Sequence, residues 1–209
     1  MKMFQHIKIA RITAENLKNN VDKNFKLDKI VFYLGSIYPD LNCIYPAHRL
    51  SSTSNRISKK IKLIDRYEDG IIKSFNLGII THYISDYFCY AHNNKSLGIK
   101  HREYEKGLNN FFNKNNIEKD NRLINEWNVA KNSIKEQVFK YTDTMDSNLH
   151  AHIILEQIIA LNSKYKEKSN NFNDSEWILN KNQWKTDIQY TLFMCENILS
   201  LILEPCKCV

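Results

Sequence analysis

Apolar residues recur three and four places apart along most of the chain. From Phe4 to Leu17 the stripe is Phe4, Ile7, Ile9, Ala10, Ile12 and Leu17, the spacing of one helix face. Ile71 to about Tyr90 carries the clearest signal, with Phe75, Ile79, Tyr83 and Tyr87 four residues apart. Asn93, Asn94 and Gly98 end that run, and a further helix is predicted over roughly 99–112. NKNNIEKD at 113–120 reads as a turn. Helices follow over 121–141 and 148–165, the second with Leu149, Ile153, Ile154, Gln157, Ile158 and Leu161 on one face. KSNNFNDS at 168–175 reads as a polar loop. The last helix has Ile188, Leu192, Cys195, Leu199 and Ile202 on a stripe and stops before Pro205. Leu27 to Ile37 is apolar-rich and runs towards Pro39, which disfavours helix in the residue before it. The stretch 39–56 has two prolines and a Ser/Thr/Asn cluster and reads as a loop. No repeat and no shift in composition divides the chain, so the pattern predicts one all-α domain of about seven helices over 1–209.

Composition sharpens this picture. Gly (5) and Pro (3) are too scarce in 209 residues for the many turns of an all-β fold. A hydrophobic fraction of 43% and a charged fraction of 25% exclude a disordered chain or a small disulfide scaffold. No apolar run reaches the roughly 18 residues of a membrane span. The opening MKMFQHIKIARITAENL lacks the apolar core and small-residue site of a signal peptide, so a cytoplasmic location is expected. Cys43, Cys89 and Cys195 read as small apolar residues, while Cys206 and Cys208 form an isolated C-x-C with no assigned role. The net charge of +7 favours anionic partners, phosphates or anionic membrane surfaces. Its densest basic cluster, Lys59, Lys60 and Lys62, also fits a solvated face.

The histidines change the picture most. His82 and Asp86 are four apart on the strongest predicted helix, and His101 and Glu105 are four apart on the next. That spacing puts both donors on one helix face, where an imidazole and a carboxylate can hold one divalent ion. One such pair is commonly a helix salt bridge. Two pairs with His92 between them are a pattern. His6 lies upstream on the first helix, and Asp40 and His48 on the Pro-rich stretch. His150 and His152 point about 160° apart on a helix and cannot share an ion; they read as one surface and one packed residue. Thr81 and Tyr83 flank a donor and are candidates to orient it.

The string FYLGSIYPD from Phe32 to Asp40, the string LGIITHYISD from Leu77 to Asp86, and HREYE from His101 to Glu105 resemble the zinc-dependent phospholipase C family. The order His, Asp, His, His-x-x-x-Asp, His, His-x-x-x-Glu is reproduced over residues 4–107. The resemblance implies an all-helical fold round a cluster of two to three Zn²⁺ ions. It implies Asp40, His48, His82 and Asp86 as ligands of one ion, and His92, His101 and Glu105 as ligands of a second. It implies His6, with Asp86 bridging, at a third. In the family an N-terminal Trp completes that third site through its amino group and carbonyl. This chain has no Trp before His6; the site is weak, completed by water, or capped by the Met1 terminus. The family's secreted enzymes carry an aromatic residue of the choline pocket after the loop aspartate, where this chain has Leu41, so choline preference does not carry over.

The donor chemistry agrees with the resemblance. A catalytic zinc takes about three protein ligands plus water, so five histidines and three carboxylates suit two or three ions with open positions. Three carboxylates cannot neutralise that many divalent ions, and the residual positive charge suits a phosphate. Paired metals about 3.5–4 Å apart clamp the attacking and leaving oxygens of an in-line displacement. Asp40 is the candidate general base that orients the attacking water. The expected activity is therefore zinc-dependent phosphodiester hydrolysis of phospholipase C type on a phospholipid, with peripheral contact to an anionic membrane surface. Two rivals stand beside it. One is a zinc-dependent nuclease, since single-strand nucleases resemble this family and a basic chain can bind nucleic acid. The other is a non-catalytic helical protein that zinc merely locks.

Overall fold

The computed structural model describes residues 1–20, 25–42, 49–67, 70–94, 100–115, 146–169 and 180–203, with 117, 124, 125, 128 and 132. Its elements are helices: α1 (Met3–Asn20), α2 (Lys29–Leu41), α3 (Leu50–Arg66), α4 (Gly70–Tyr87), α5 (Tyr90–Asn93), α6 (Lys100–Lys114), α7 (Ser147–Ser169) and α8 (Lys181–Leu203). The protein is all-α. The expected helix over 121–141 lies almost wholly outside the described residues, as do Cys43, Trp127, Trp177, Cys206 and Cys208. None of the helices, among the described residues, is long and apolar enough to cross a membrane.

The fold is organised round α4. Every residue from Asn76 to Tyr87 is buried, so the helix is enclosed on all sides rather than amphipathic. It packs against α1, α2, α3 and α8. The other helices bury one stripe each: Ile9, Ala10, Ala14 and Leu17 on α1, and Tyr104, Leu108 and Phe112 on α6. These side chains join one core that runs through to Ile202 of α8. Cys89 and Cys195 are buried free thiols within it.

The stretch expected as a loop over 39–56 is partly helical. Pro39 is buried in the last turn of α2, where a missing N–H forfeits only one helix bond. The Asn42 N–H then closes the helix on the Tyr38 carbonyl. Chain from Leu50 onward belongs to α3, whose buried stripe is Thr53, Ile57, Ile61 and Ile64. The hydroxyls that suggested a loop serve its first turn instead: Ser52 and Thr53 both donate to the Arg49 carbonyl, at 2.9 and 2.7 Å. The single helix expected over 71–90 is divided at Phe88–Cys89, where Cys89 takes extended backbone, φ −114° and ψ 124°.

Candidate metal centre

Two glycines bring the first donors together. Asp28 meets Ser74, and eight residues further along both helices Ser36 meets His82. Helices α2 and α4 therefore run in the same direction. They cross at Gly35 and Gly78, where a Cβ built on Gly35 would stand 3.1 Å from the Gly78 Cα. This approach lets the Ser36 carbonyl accept from His82 Nδ1 at 2.9 Å. One turn later, Asp40 reaches His82 Nε2 at 3.7 Å and His6 Nε2 at 3.8 Å.

His6 enters from α1 and stacks on His82 with ring centroids 3.9 Å apart. The Ser85 hydroxyl donates to the His82 carbonyl at 2.7 Å and lies 2.8 Å from His6 Nδ1. With its proton committed, Ser85 accepts from His6 Nδ1–H. A carbonyl can only accept, so His82 Nδ1 also carries its proton. Both rings thereby turn Nε2, the nitrogen left to ligate a metal, towards Asp40 and Asp86.

The second group comes from α5 and α6. His92 Nε2 lies 3.3 Å and His101 Nε2 3.0 Å from Glu105 Oε1, and the two rings meet edge to face at 4.9 Å. Asp86 stands between the groups. Its Oδ1 is 3.2 Å from His92 Nε2 and 3.6 Å from His6 Nε2, and its Oδ2 is 3.3 Å from His82 Nε2. The Met1 α-amino group enters the same space, donating to Asp86 Oδ1 at 2.8 Å, with His92 Nε2 at 2.5 Å and Glu105 Oε1 at 3.1 Å.

Charge follows this geometry. Burial disfavours ionised Asp86, but the positive charge facing it, with the Met1 ammonium 2.8 Å away, outweighs that and holds the carboxyl well below the usual range. Glu105 is depressed against its burial in the same way, by His101, His92 and the Met1 ammonium. Burial opposes the Met1 charge too, yet Asp86 and Glu105 push that amine up to about 11. Burial and the adjacent His82 hold His6 well below the usual imidazole range, so its ring is neutral.

The donor set fits divalent metal. One ligand atom from each of His6, Asp40 and His82 lies within 4.8 Å of the others, and the same holds for His92, His101 and Glu105. His6 Nε2 is buried without a hydrogen-bond partner. Bare imidazole nitrogens facing ionised carboxylates repel them, and a cation between them removes that penalty.

Of the eight residues singled out from sequence, His6, Asp40, His82, Asp86, His92, His101 and Glu105 come together here, whereas His48 lies outside the described residues. His6 stands with Asp40 and His82, within 3.6 Å of Asp86 Oδ1. Thr81 does not orient a donor; its hydroxyl donates to the Leu77 carbonyl of its own helix at 2.8 Å. Ser85 and the Ser36 carbonyl perform that task. Ser85 could have been found three residues after His82 on the helix face, but the Ser36 contact depends on the α2–α4 crossing and left no local signal. His150 is buried against Asp65 at 2.9 Å, and His152 is exposed beside Glu156, one packed and one surface residue as their spacing implied.

Fold and site together define an all-helical protein built round a cluster of histidines and carboxylates with the chemistry of a zinc centre. The family model described as zinc dependent phospholipase C matches residues 5–171, and the chain belongs to that family. No curated protein and no solved structure matches it.

Proposed function

We propose that this chain, acting as one domain, is a zinc-dependent phosphodiester hydrolase of phospholipase C type that cleaves a phospholipid headgroup ester. The observation that carries the reading is the pair of donor groups bridged by Asp86, with the Nε2 atoms of His6 and His82 freed for ligation. His6, Asp40, His82 and Asp86 would hold one part of a cluster of two to three ions, and His92, His101 and Glu105 the other, with His48 a further ligand implied by the family pattern. Zinc supplies Lewis acidity towards phosphoryl oxygens and a nucleophilic water at neutral pH. The chain supplies the rest. Ser36 and Ser85 fix the imidazoles, and Asp86 holds the two groups together. Asp40, whose side chain is 25% exposed while those of Asp86 and His82 are fully buried, orients the attacking water and accepts its proton.

The test joins metal content to turnover. Protein reconstituted with zinc and dialysed is expected to retain two to three ions and to release diacylglycerol from phospholipid vesicles. Asp40→Asn is expected to lower that rate at least about 100-fold, the scale of losing a positioned base, with helical content unchanged by circular dichroism. Zinc retained without turnover on phospholipid or single-stranded DNA is the result a purely structural role predicts. Turnover on DNA alone is the nuclease outcome.

Lipid is favoured over nucleic acid by the outer face of α2. Ile30 (73% exposed), Leu34 (53%), Tyr38 and Leu41 (62%) form a solvent-facing apolar stripe at helical spacing, opposite the buried Phe32, Gly35 and Pro39. It ends at Leu41, beside Asp40. A nucleic-acid groove is lined with cations, whereas such a stripe suits insertion at a lipid interface. Sedimentation with phosphatidylglycerol vesicles is expected to retain the protein. Combined Leu34→Ser and Leu41→Ser is expected to weaken retention about tenfold or more, from the apolar area lost. Unchanged retention removes α2 from the lipid contact.

A further inference from the structure

Asp187 is a buried acid that the proposed chemistry does not use. It sits on α8, beyond the residues the family model matches, and has no solvent exposure. Its four donors are all neutral. The Tyr90 N–H and the Tyr104 hydroxyl reach Oδ2 at 2.9 and 2.7 Å. The Tyr165 hydroxyl and Gln183 Nε2 reach Oδ1, both at 2.6 Å. One carboxylate thus joins α5, α6, α7 and α8. Burial pushes its carboxyl up to about 6, and hydrogen bonds from Tyr165, Tyr90, Tyr104 and Gln183 restrain that rise.

The two donors at Oδ2 lead directly to the metal centre. Tyr90 opens α5, a helix of four residues, too short to hold its own shape. Its flanking residue Cys89 makes no side-chain cap, and the first N–H of the helix donates to Asp187 on α8 instead. His92 follows two residues later. Tyr104 immediately precedes Glu105 on α6. The same oxygen therefore sets the start of the turn that carries His92 and the helix position that carries Glu105.

Resting on the zinc-centre reading above, we propose that Asp187 is a positioning residue for the His92, His101 and Glu105 group, acting through Tyr90 and Tyr104. It does not touch that group. Packing alone would be served by a neutral side chain, without the desolvation of a charge. What the carboxylate adds is four acceptor positions converging from two oxygens, an arrangement no single neutral side chain of that size reproduces.

The experiment measures zinc stoichiometry and affinity, by competition with a chromophoric chelator, alongside thermal unfolding of the same samples. Asp187→Asn keeps the volume but turns an amide NH₂ towards donors that need an acceptor. It is expected to weaken binding of at least one zinc by about 10- to 100-fold, the range for outer-shell partners of metal ligands. Tyr104→Phe removes a single donor and keeps the ring; a smaller loss, several-fold, is expected, and this variant decides the matter should the first fail to fold. Asp65→Asn, which breaks the His150 pair between α3 and α7, is the comparison for stability alone. It is expected to lower the unfolding temperature with zinc binding unchanged. Zinc binding at wild-type strength in both Asp187→Asn and Tyr104→Phe, whatever their unfolding temperatures, overturns the positioning role. A wild-type protein that retains no zinc overturns the metal-centre reading itself, a separate result seen before any variant is compared.

Discussion

Gly78→Ala is expected to lower stability by about 3 kcal/mol, the upper range for an overpacked interior, and the unfolding temperature by about 10 °C for a chain of this size. The sign is the informative part. Alanine in place of glycine within a helix ordinarily stabilises by about 1 kcal/mol. Here the added Cβ would stand 2.2 Å from the Phe32 carbonyl oxygen, 2.8 Å from the Ser36 nitrogen and 2.9 Å from the Gly35 Cα. All three are backbone atoms, so no side chain can rotate away, and relief requires α2 and α4 to separate. Separation also lengthens the 2.9 Å bond that holds His82 and withdraws Asp40, so zinc binding should weaken with stability. Gly35→Ala meets the Phe75 carbonyl oxygen at 2.2 Å and should behave alike. At Gly70 a Cβ meets only the Lys26 carbonyl oxygen, at 3.4 Å, so Gly70→Ala should be tolerated. A thermal melt in which Gly78→Ala matches or exceeds the wild type refutes the crossing as the element that builds the site.

The same crossing explains which parts of the protein could be read from residues alone. Helix α4 was legible because Phe75, Ile79, Tyr83 and Tyr87 repeat at the helical period, which no other local structure reproduces. Helix α3 was obscured although its stripe of Thr53, Ile57, Ile61 and Ile64 has the same period. Its Ser and Thr residues favour turns when considered singly, and nothing local shows that their hydroxyls bond back to Arg49. At the site, His82 with Asp86 and His101 with Glu105 were legible because four residues along a helix fix neighbourhood without reference to the fold. His6 and Asp40 have no such local rule, and only the family's order of donors connected them to the others. The Ser36 carbonyl and the Asp187 network left no trace, because a backbone acceptor has no residue type and a single aspartate in an apolar helix looks like a surface position. Their roles exist only once helices from distant parts of the sequence are packed together.

Asp86→Asn is expected to lower turnover at least about 100-fold, with loss of at least one bound zinc. Asp86 reaches both donor groups: it lies within 3.6 Å of the Nε2 atoms of His6, His82 and His92 and accepts from the Met1 α-amino group. An amide keeps the shape but removes the charge that the Met1 ammonium faces at 2.8 Å, and it leaves one oxygen where the carboxylate offers two. Stability should fall as well, by about 3–5 kcal/mol, the range for removing one partner of a buried ion pair. Part of that loss has a direction in pH. Because the folded carboxyl lies well below its ordinary value of 3.8, the stability it contributes is fully present above that value and is lost as the pH falls through the folded one. The acid limb of unfolding, followed by circular dichroism, should therefore flatten in Asp86→Asn. Extending the side chain does not repair the site, since Asp86→Glu adds a methylene to a fully buried position. His152→Ala, at an exposed residue beside Glu156, should leave zinc content unchanged and stability within about 0.5 kcal/mol. Full zinc content and turnover in Asp86→Asn would show that the two donor groups work without their shared carboxylate, and the bridged arrangement would have to be abandoned.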